Sequence, residues 1–535
     1  MADAELSPVA KQRLRAQRCW NQRSGWDALY QDAYDYVLPN RRPGGQGKTK
    51  APANLIFDMT GPNSAIHCAG EIQRQVFPAA TPFTFETGPL VSSRLTTAEK
   101  KSWDRVLNSQ AAFIYPFFKT GEFDTAMHEF CTDLTIGTGV LLPLKGPSIN
   151  EPLVFLSIPQ DEVAIDQDAW GRVTYVSWKR LNLCREQIVG AWPKGNFSTE
   201  FRQAARANPY QEITVYQDFF KLPDGSWRFV AYLEKEGDFI VSETYQTQPI
   251  AVARFYRWPG EAYGRGPVLF ALPTIKTVNK AQELTLKSAA IQMLGIWGYR
   301  AGGTFNPDTV RLGPGEFWPL QSTGGILGPD VQRLDPAAGR LDVARLIIGS
   351  GQEQIREALL DTRLFDDGGT PASASEVALR QAQNAKVHIG AYGRLNRETV
   401  AVIVPRAMEI LAEWRILPNM MSFNELLVSM YINSPLAAAL KADELTGMVN
   451  YYQLVVSVRG QQQLTSRDIQ LDRFLDRARN IMLVKPDIVP TEAELKAAEG
   501  QNATDNLTAL AGEAAVRASP QLVQAAANEN AQAAA

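Results

Sequence analysis

Histidine and cysteine are scarce in these 535 residues, and their scarcity removes several chemistries at once. The three histidines, His67, His128 and His388, lie far apart within helical patterns. Their wide separation favours packing or surface roles over a shared metal or catalytic site. The four cysteines, Cys19, Cys68, Cys131 and Cys184, are scattered without short spacings. Neither a disulfide framework nor a zinc site is indicated, and a reduced, cytosolic setting fits. No apolar run reaches the roughly 18 residues of a membrane-spanning helix. The opening MADAELSPVAKQRLRAQ is too polar for a secretory signal. A charge excess is missing as well. With 54 basic and 57 acidic residues the formal charge is −3, which argues against coating nucleic acid by bulk charge.

Three motifs are approached and missed. RPGGQGKTK supplies Gly47, Lys48 and Thr49 of a phosphate-cradling loop, but the first glycine falls on Arg42. The segment also follows the aromatic YDYVLP rather than a buried strand. DQDAWG, residues 166–171, begins like a calcium loop, yet Trp170 and Ser177 stand where ligands belong. It reads better as a turn between strands. AYGRG lacks the βα context and downstream acid of a dinucleotide site. No constellation of base, nucleophile or metal ligands emerges, so the chain is expected not to be an enzyme and to need no cofactor.

What is present is architecture. Residues 1–38 read as a helical N-terminus marked by Leu14, Trp20, Trp26, Leu29 and Tyr36. A linker at 39–54 precedes helices opened by Thr60 and covering roughly 97–120 and 122–137. From about 150 to 258 the period changes to two. EITVYQDFF, WRFVAYLE, FIVSETY and IAVARFYRW, with hairpin turns between the first three, predict an antiparallel meander. TIKTVNKAQELTLKSAAIQML then places Ile275, Val278, Ala281 and Leu284 on one side of a helix. Lys276, Lys280 and Lys287 point elsewhere, onto a solvated face or one lining a water-filled space. Residues 299–340 contain eight glycines and five prolines, so short strands and turns are expected. Helix resumes through DVARLIIGSGQEQIREALLDTRLF, where Gly349 and Gly351 signal a bend or close packing. An acidic, glycine-rich and hydroxyl-rich stretch comes after it, RLFDDGGTPASASEVALRQAQ. A long helical run comes next, with Ser373 or Ser375 as its cap and a kink at Pro405.

This order, with four local strings, resembles the head-to-tail connector, or portal, proteins of short-tailed bacteriophages. The strings are RFYRWPGEAYGRGPV before VNKAQELTLKSAAI, the helix–turn-rich insert–helix unit at 267–365, ASASEVALRQAQ, and HIGAYGRLNRETVAVIVPRAMEIL. The likeness runs from about residue 10 to 485. It implies an α+β, mainly helical portal fold with an antiparallel β wing subdomain, stem helices, clip and crown. Residues 1–266 would form the wing and 267–298 and 341–364 the stem helices. The clip would be 299–340 and the channel loop 365–376. The segment 377–439 would hold the long kinked wing helix and a short continuation, and 440–500 the crown. Residues 501–535 are a low-complexity tail.

The resemblance further implies a ring of twelve at one capsid vertex, through which double-stranded DNA is packaged and ejected without sequence preference. Implied partners are the terminase large subunit, a tail adaptor, and scaffolding and major capsid proteins. The place would be the virion, with synthesis in the host cytoplasm. Another virion protein, such as an adaptor or internal core protein, is the alternative; a packaging ATPase is remote, given the failed phosphate loop. The resemblance also implies site residues. Asp366, Asp367, Gly368, Gly369, Thr370, Ser373 and Ser375 would make the channel loop, against the plainer reading of a solvated interhelical loop. Lys276, Lys280 and Lys287 would line the channel or a stem face. Phe317 and Trp318 in the clip would touch partners or pack clip against clip. Leu346 and Ile347 would pack in the stem.

Overall fold

The computed structural model describes residues 7–39, 56–78, 82–234, 237–294, 296–299, 331–334, 341–361, 389–417, 428–432, 447–458, 474–475 and 477–478. The fold is mixed α+β, mainly helical, with antiparallel sheets. In chain order come α1 (Pro8–Val37), α2 (Thr60–Val76), β1 (Phe83–Thr87), α3 (Pro89–Ser92), α4 (Thr97–Thr120) and α5 (Phe123–Ile136). The strands β2 (Thr138–Ser148), β3 (Glu151–Ile158), β4 (Val163–Gln167) and β5 (Val173–Cys184) are next. Then come α6 (Arg185–Ala191), α7 (Thr199–Ala207), β6 (Glu212–Lys221), β7 (Trp227–Leu233), β8 (Val241–Tyr245) and β9 (Ala251–Arg254). The last are α8 (Pro267–Leu294), β10 (Ile296–Tyr299), β11 (Val331–Leu334), α9 (Leu341–Ala358), α10 (Ile389–Glu398), α11 (Val400–Glu413) and β12 (Val428–Ile432).

The chain divides into two compact units. The first is Met1–Gly70, Ala126–Leu142 and Leu156–Asp361. Its main sheet has the order β4-β5-β6-β7-β8, every neighbour antiparallel. Side chains alternate between faces along a strand. On β6, Val215 and Phe219 enter the main core, while Tyr216 and Phe220 belong to smaller clusters with α1 residues. Both faces are therefore covered. Asp218, fully buried on the α1 side, accepts from Gln12 Nε2 at 2.8 Å, Tyr175 OH at 2.8 Å and Tyr232 OH at 2.9 Å. Burial raises its pKa, and these donors partly offset that. The stripe α1 buries is fitted to this surface: Val9, Gln12, Ala16, Cys19, Arg23, Tyr30, Ala33, Tyr34 and Val37. Of the apolar residues that mark the helix in the sequence, Leu14 and Leu29 lie off the stripe, 54% and 36% exposed, while Trp20, Trp26 and Tyr36 are half-buried against the core.

The meander expected over four strands holds for β6, β7 and β8. Strand β9 crosses to a second sheet ordered β3-β2-β9, pairing from Thr138↔Arg254 to Leu141↔Ala251. The sequence reading missed β2. Its first six residues are all buried. A strand buried on both faces reads as an unbroken apolar run rather than an alternation. The abortive calcium loop is the β4–β5 turn: Asp168 Oδ1 accepts from Trp170 N at 3.0 Å and Arg172 N at 2.8 Å.

The second unit is Glu71–Thr125, Pro143–Phe155 and Thr362–Ala535. A capping box opens α4, with Thr96 N donating to Glu99 Oε2 at 2.9 Å and Glu99 N to Thr96 Oγ1 at 3.4 Å. An aromatic core gathers Phe77 and Phe123 (centroids 4.4 Å apart) with Phe118 and Phe155 (5.1 Å). Strand β1 pairs antiparallel with β12, from Phe83↔Ile432 to Thr87↔Val428. The long helical run breaks at Thr399 (φ −109°, ψ −79°), whose hydroxyl donates back to the Leu395 carbonyl. Pro405, the expected kink, lies inside α11. The proposed caps Ser373 and Ser375 lie outside the described residues.

Candidate functional site: the paired helices and their anchoring junction

RFYRWPGEAYGRGPV joins β9 to α8, and each residue of its Gly-Glu-x-Tyr-Gly-Arg core has a folding task. Gly260 adopts φ +87°, a left-handed conformation that suits glycine. Glu261 holds Arg265 through two contacts, at 2.9 and 2.6 Å, and that guanidinium lies 5.3 Å from the Trp26 ring centre. Tyr263 OH accepts from Ile165 N at 3.1 Å. Gly264 O accepts from Tyr30 OH at 2.7 Å, while its N–H donates to Thr138 Oγ1 at 2.9 Å. A Cβ on Gly264 would stand 2.3 Å from the Gly137 carbonyl oxygen, and one on Gly266 2.0 Å from that of Thr135. Backbone runs directly against backbone, so the base of α8 is locked to the α5–β2 corner. Arg254, 2% exposed, ties in the β4–β5 turn through Gly171 O at 3.1 Å.

From this base α8 pairs antiparallel with α9. The helices meet where a Cβ on Gly351 would lie 2.4 Å from Val278 Cγ2, and the β10–β11 ladder joins their other ends. The expectation for the two glycines divides: Gly351 marks close packing, whereas Gly349 has nothing within 4 Å. The segment before α2 clamps both helices. Phe57 N and Asp58 N donate to Asn279 Oδ1 at 2.7 and 3.1 Å, and Gln352 Nε2 donates to Asp58 Oδ2 at 2.6 Å. At the far end of α9, buried Asp361 accepts from Ser64 Oγ at 2.7 Å and lies 3.6 Å from His67 Nδ1.

The three lysines of α8 all engage carboxylates. Lys276 Nζ is 2.6 Å from Asp32, and Lys280 and Lys287 flank Glu283 at 2.9 and 2.5 Å. Hydrogen bonds from Lys287 and Lys280 hold the Glu283 carboxyl below its usual range. The face is charged but locally balanced. Ile275 and Val278 are buried as expected and Ala281 packs at the core's margin, but Leu284 is 55% exposed. On α9, Ile348 and Ile355 are buried, as is Leu359 just past its end, while Leu346 and Ile347 are 74% and 55% exposed. Phe317 and Trp318 lie outside the described residues, as do Asp366, Asp367, Gly368, Gly369, Thr370, Ser373 and Ser375. Sequence reasoning missed the clamp of Asp58 and Asn279; the signal was an Asp two residues ahead of a helix-opening Thr.

Nothing in this arrangement assembles a reaction centre, and among the described residues no group of three or more His, Cys, Asp or Glu is placed to hold a metal ion. Comparison with known proteins gives the frame. The family described as "Bacteriophage head to tail connecting protein" matches residues 10–489. The portal protein of Escherichia phage T7 is 21% identical over 300 residues, which is 54% of this chain and 54% of that protein, so the match spans about half of the relative's length. Among solved structures, a chain of the virion of the native gene transfer agent particle covers 81% of this chain and 96% of its own, with 12% identity and a TM-score of 0.32. A chain from the neck of the empty particle, computed with C6 symmetry, covers 79% and 93%, with 14% identity and a TM-score of 0.31. With the family match running nearly end to end, the chain belongs to the bacteriophage head-to-tail connecting proteins, structural and non-enzymatic components of the virion at the junction of head and tail.

Proposed function

We propose that this connector is a portal: a closed ring of twelve copies at one capsid vertex, with a central channel for double-stranded DNA. The observation that carries the ring is apolar surface left uncovered on the helix pair. Leu284 and Leu286 on the outer half of α8, and Leu346 and Ile347 on the adjoining start of α9, are each at least half exposed. Such residues at one end of a rigid helix pair suit burial against neighbouring copies. In this reading α8 and α9 are the stem and residues 299–340 the clip, where Phe317 and Trp318 meet the terminase large subunit and later a tail adaptor. Residues 1–266 form the wing, 365–376 the channel loop and 440–500 the crown, with scaffolding and major capsid proteins contacting the outside. The balanced lysines of α8 suit a conduit that does not grip its cargo, because unpaired cations would bind phosphate by releasing counterions.

The test is assembly. Leu346→Asp and Ile347→Asp are expected to keep the wild-type circular dichroism and melting profile, since both sites are solvent-facing in the single chain. Each is expected to prevent ring closure by placing an unpaired charge in the interface. Sedimentation velocity with negative-stain imaging reads the outcome. Full rings from both variants would remove α9 from the interface.

A further inference from the structure

We infer that Arg23, Gln160 and Asp161 form a buried hydration site, in which ordered water molecules tie α1 to the connection between β3 and β4. The inference concerns the interior of a single chain and stands apart from the ring reading. Arg23 is the one charged residue on the buried stripe of α1. Gln160 opens the single 3-10 turn Gln160–Glu162 that leads from β3 into β4, and Asp161 follows it. Arg23 and Gln160 are each 1% exposed. Five buried atoms of these three side chains have no hydrogen-bond partner among the described residues: Arg23 Nε and Nη1, Gln160 Oε1 and Nε2, and Asp161 Oδ1. Arg23 Nε does lie 3.4 Å from Asp27 Oδ1, but on a carboxylate that is more than half exposed and outside hydrogen-bond geometry. An unpaired buried polar group is costly, and native interiors pair nearly all of them. Five on three side chains point to a partner other than protein.

The three side chains share one neighbourhood. The Arg23 guanidinium lies 5.2 Å from the Tyr30 ring centre and 5.1 Å from that of Tyr263. Burial pushes the Tyr30 hydroxyl up to about 12, and Arg23, Thr138 and Gln160 beside it oppose that rise. The Tyr30 hydroxyl proton is already committed to Gly264 O at 2.7 Å, so it does not satisfy the Gln160 amide. At Asp161 burial again dominates and Arg23 again opposes it. Arg23 therefore acts on both Tyr30 and Asp161, while Gln160 adjoins Tyr30 and precedes Asp161 in the chain.

The chemistry of the unpaired atoms selects the ligand. Arg23 Nε and Nη1 and Gln160 Nε2 must donate, whereas Gln160 Oε1 accepts and the Asp161 carboxylate oxygen accepts when ionised. A metal cation would suit the oxygens but be repelled by the guanidinium. An anion would suit Arg23 but be repelled by Asp161 and by Glu162 and Asp133, whose charges reach it. Water donates and accepts, and it is small enough to sit between side chains. A buried water makes about three hydrogen bonds, so five such atoms call for about two waters. The stripe of α1 is then held to the strands in two ways. Gln12 bonds Asp218 directly, and Arg23 is joined to the β3–β4 turn through water.

Two measurements on the full-length chain test the site. The first is density. A map sharp enough to resolve ordered water should show peaks about 2.7–3.2 Å from Arg23 Nη1, from the Gln160 amide and from Asp161 Oδ1. The second is the sign of a stability change. Gln160→Met keeps the length of the side chain and removes both of its polar atoms. In a hydrated site the waters lose partners, so the thermal midpoint should fall by about 2 °C. In a dry site the same change deletes two unsatisfied groups, and the midpoint should rise. A raised midpoint would overturn the inference. So would a map in which Arg23 pairs directly with Asp161 with no peak between them, or a peak whose coordination identifies an ion. If Gln160→Met does not fold, the map of the wild-type chain decides alone.

Discussion

Asp161 has a carboxyl oxygen buried without a hydrogen-bond partner, and its pKa stands at about 6. Burial is the main cause; the neighbouring Glu162 adds to it and Arg23 opposes it. The ordinary value is 3.8. Between the two values the folded chain holds a proton that the unfolded chain has lost. The stability contributed by this group is therefore fully present below about pH 4 and is lost as pH rises through 6. At neutral pH the residue is a buried charge whose nearby cation, Arg23, is shared with Asp27 at 3.4 Å and with the rings of Tyr30 and Tyr263. Asp161→Asn should raise stability at pH 7 by about 2–3 kcal/mol, the equivalent of a shift near two pH units. It should also flatten the decline between pH 4 and 6. Urea midpoints measured across that range decide it, and an unchanged slope would mean that Asp161 is not the titrating group.

At the scale of the element, the two glycines of α9 separate helix propensity from packing. Gly349 faces open space, so Gly349→Ala should stabilise by about 1 kcal/mol through helix propensity alone. Gly351 sits against Val278, a short branched side chain with nowhere to swing. Gly351→Ala should therefore destabilise by about 1–3 kcal/mol through overpacking. Denaturant melts of the two variants should move in opposite directions; a common direction would refute the packing assigned to Gly351. The sequence marks both glycines as notable but cannot tell which one meets a neighbour, because that depends on the rotation of α9 about its axis. The same limit explains α1, whose existence was legible while its buried face was not: the face is set by Asp218, from a strand far along the chain. Helices α2, α4 and α5 were readable from caps and periodicity to within a residue or two, whereas α1 starts at Pro8 and not at residue 1, where the sequence reading put the helical N-terminus. Strand β2 was hidden because both its faces are covered. The β9–α8 junction was legible as a string, and its meaning came only with the contacts of Gly137, Thr135 and Tyr30.

For the whole molecule, the portal reading turns on what the chain offers to DNA passing through it. A conduit must confine a polyanion without holding it. The net charge of −3 and the carboxylate partners of Lys276, Lys280 and Lys287 meet that requirement. The proposed channel loop meets it by composition. No Lys or Arg lies between Arg363 and Arg380; Asp366 and Asp367 repel phosphate, and Thr370, Ser373 and Ser375 offer only exchangeable hydroxyl contacts. In the same proposal Gly368 and Gly369 are the residues whose composition would permit an abrupt exit from the preceding helix. The anchor before this stretch is in view: Asp361, just past the end of α9, accepts a hydrogen bond from Ser64. Deleting residues 367–372 leaves that anchor and the stem face untouched, so rings should assemble at wild-type yield. What should fail is completion of packaging or retention of full-length DNA, read from genome length in purified particles and from the ratio of full to empty heads. Particles with intact genomes at wild-type yield would reduce the stretch to an ordinary connection between helices, while loss of the rings themselves would move its role from the channel to assembly.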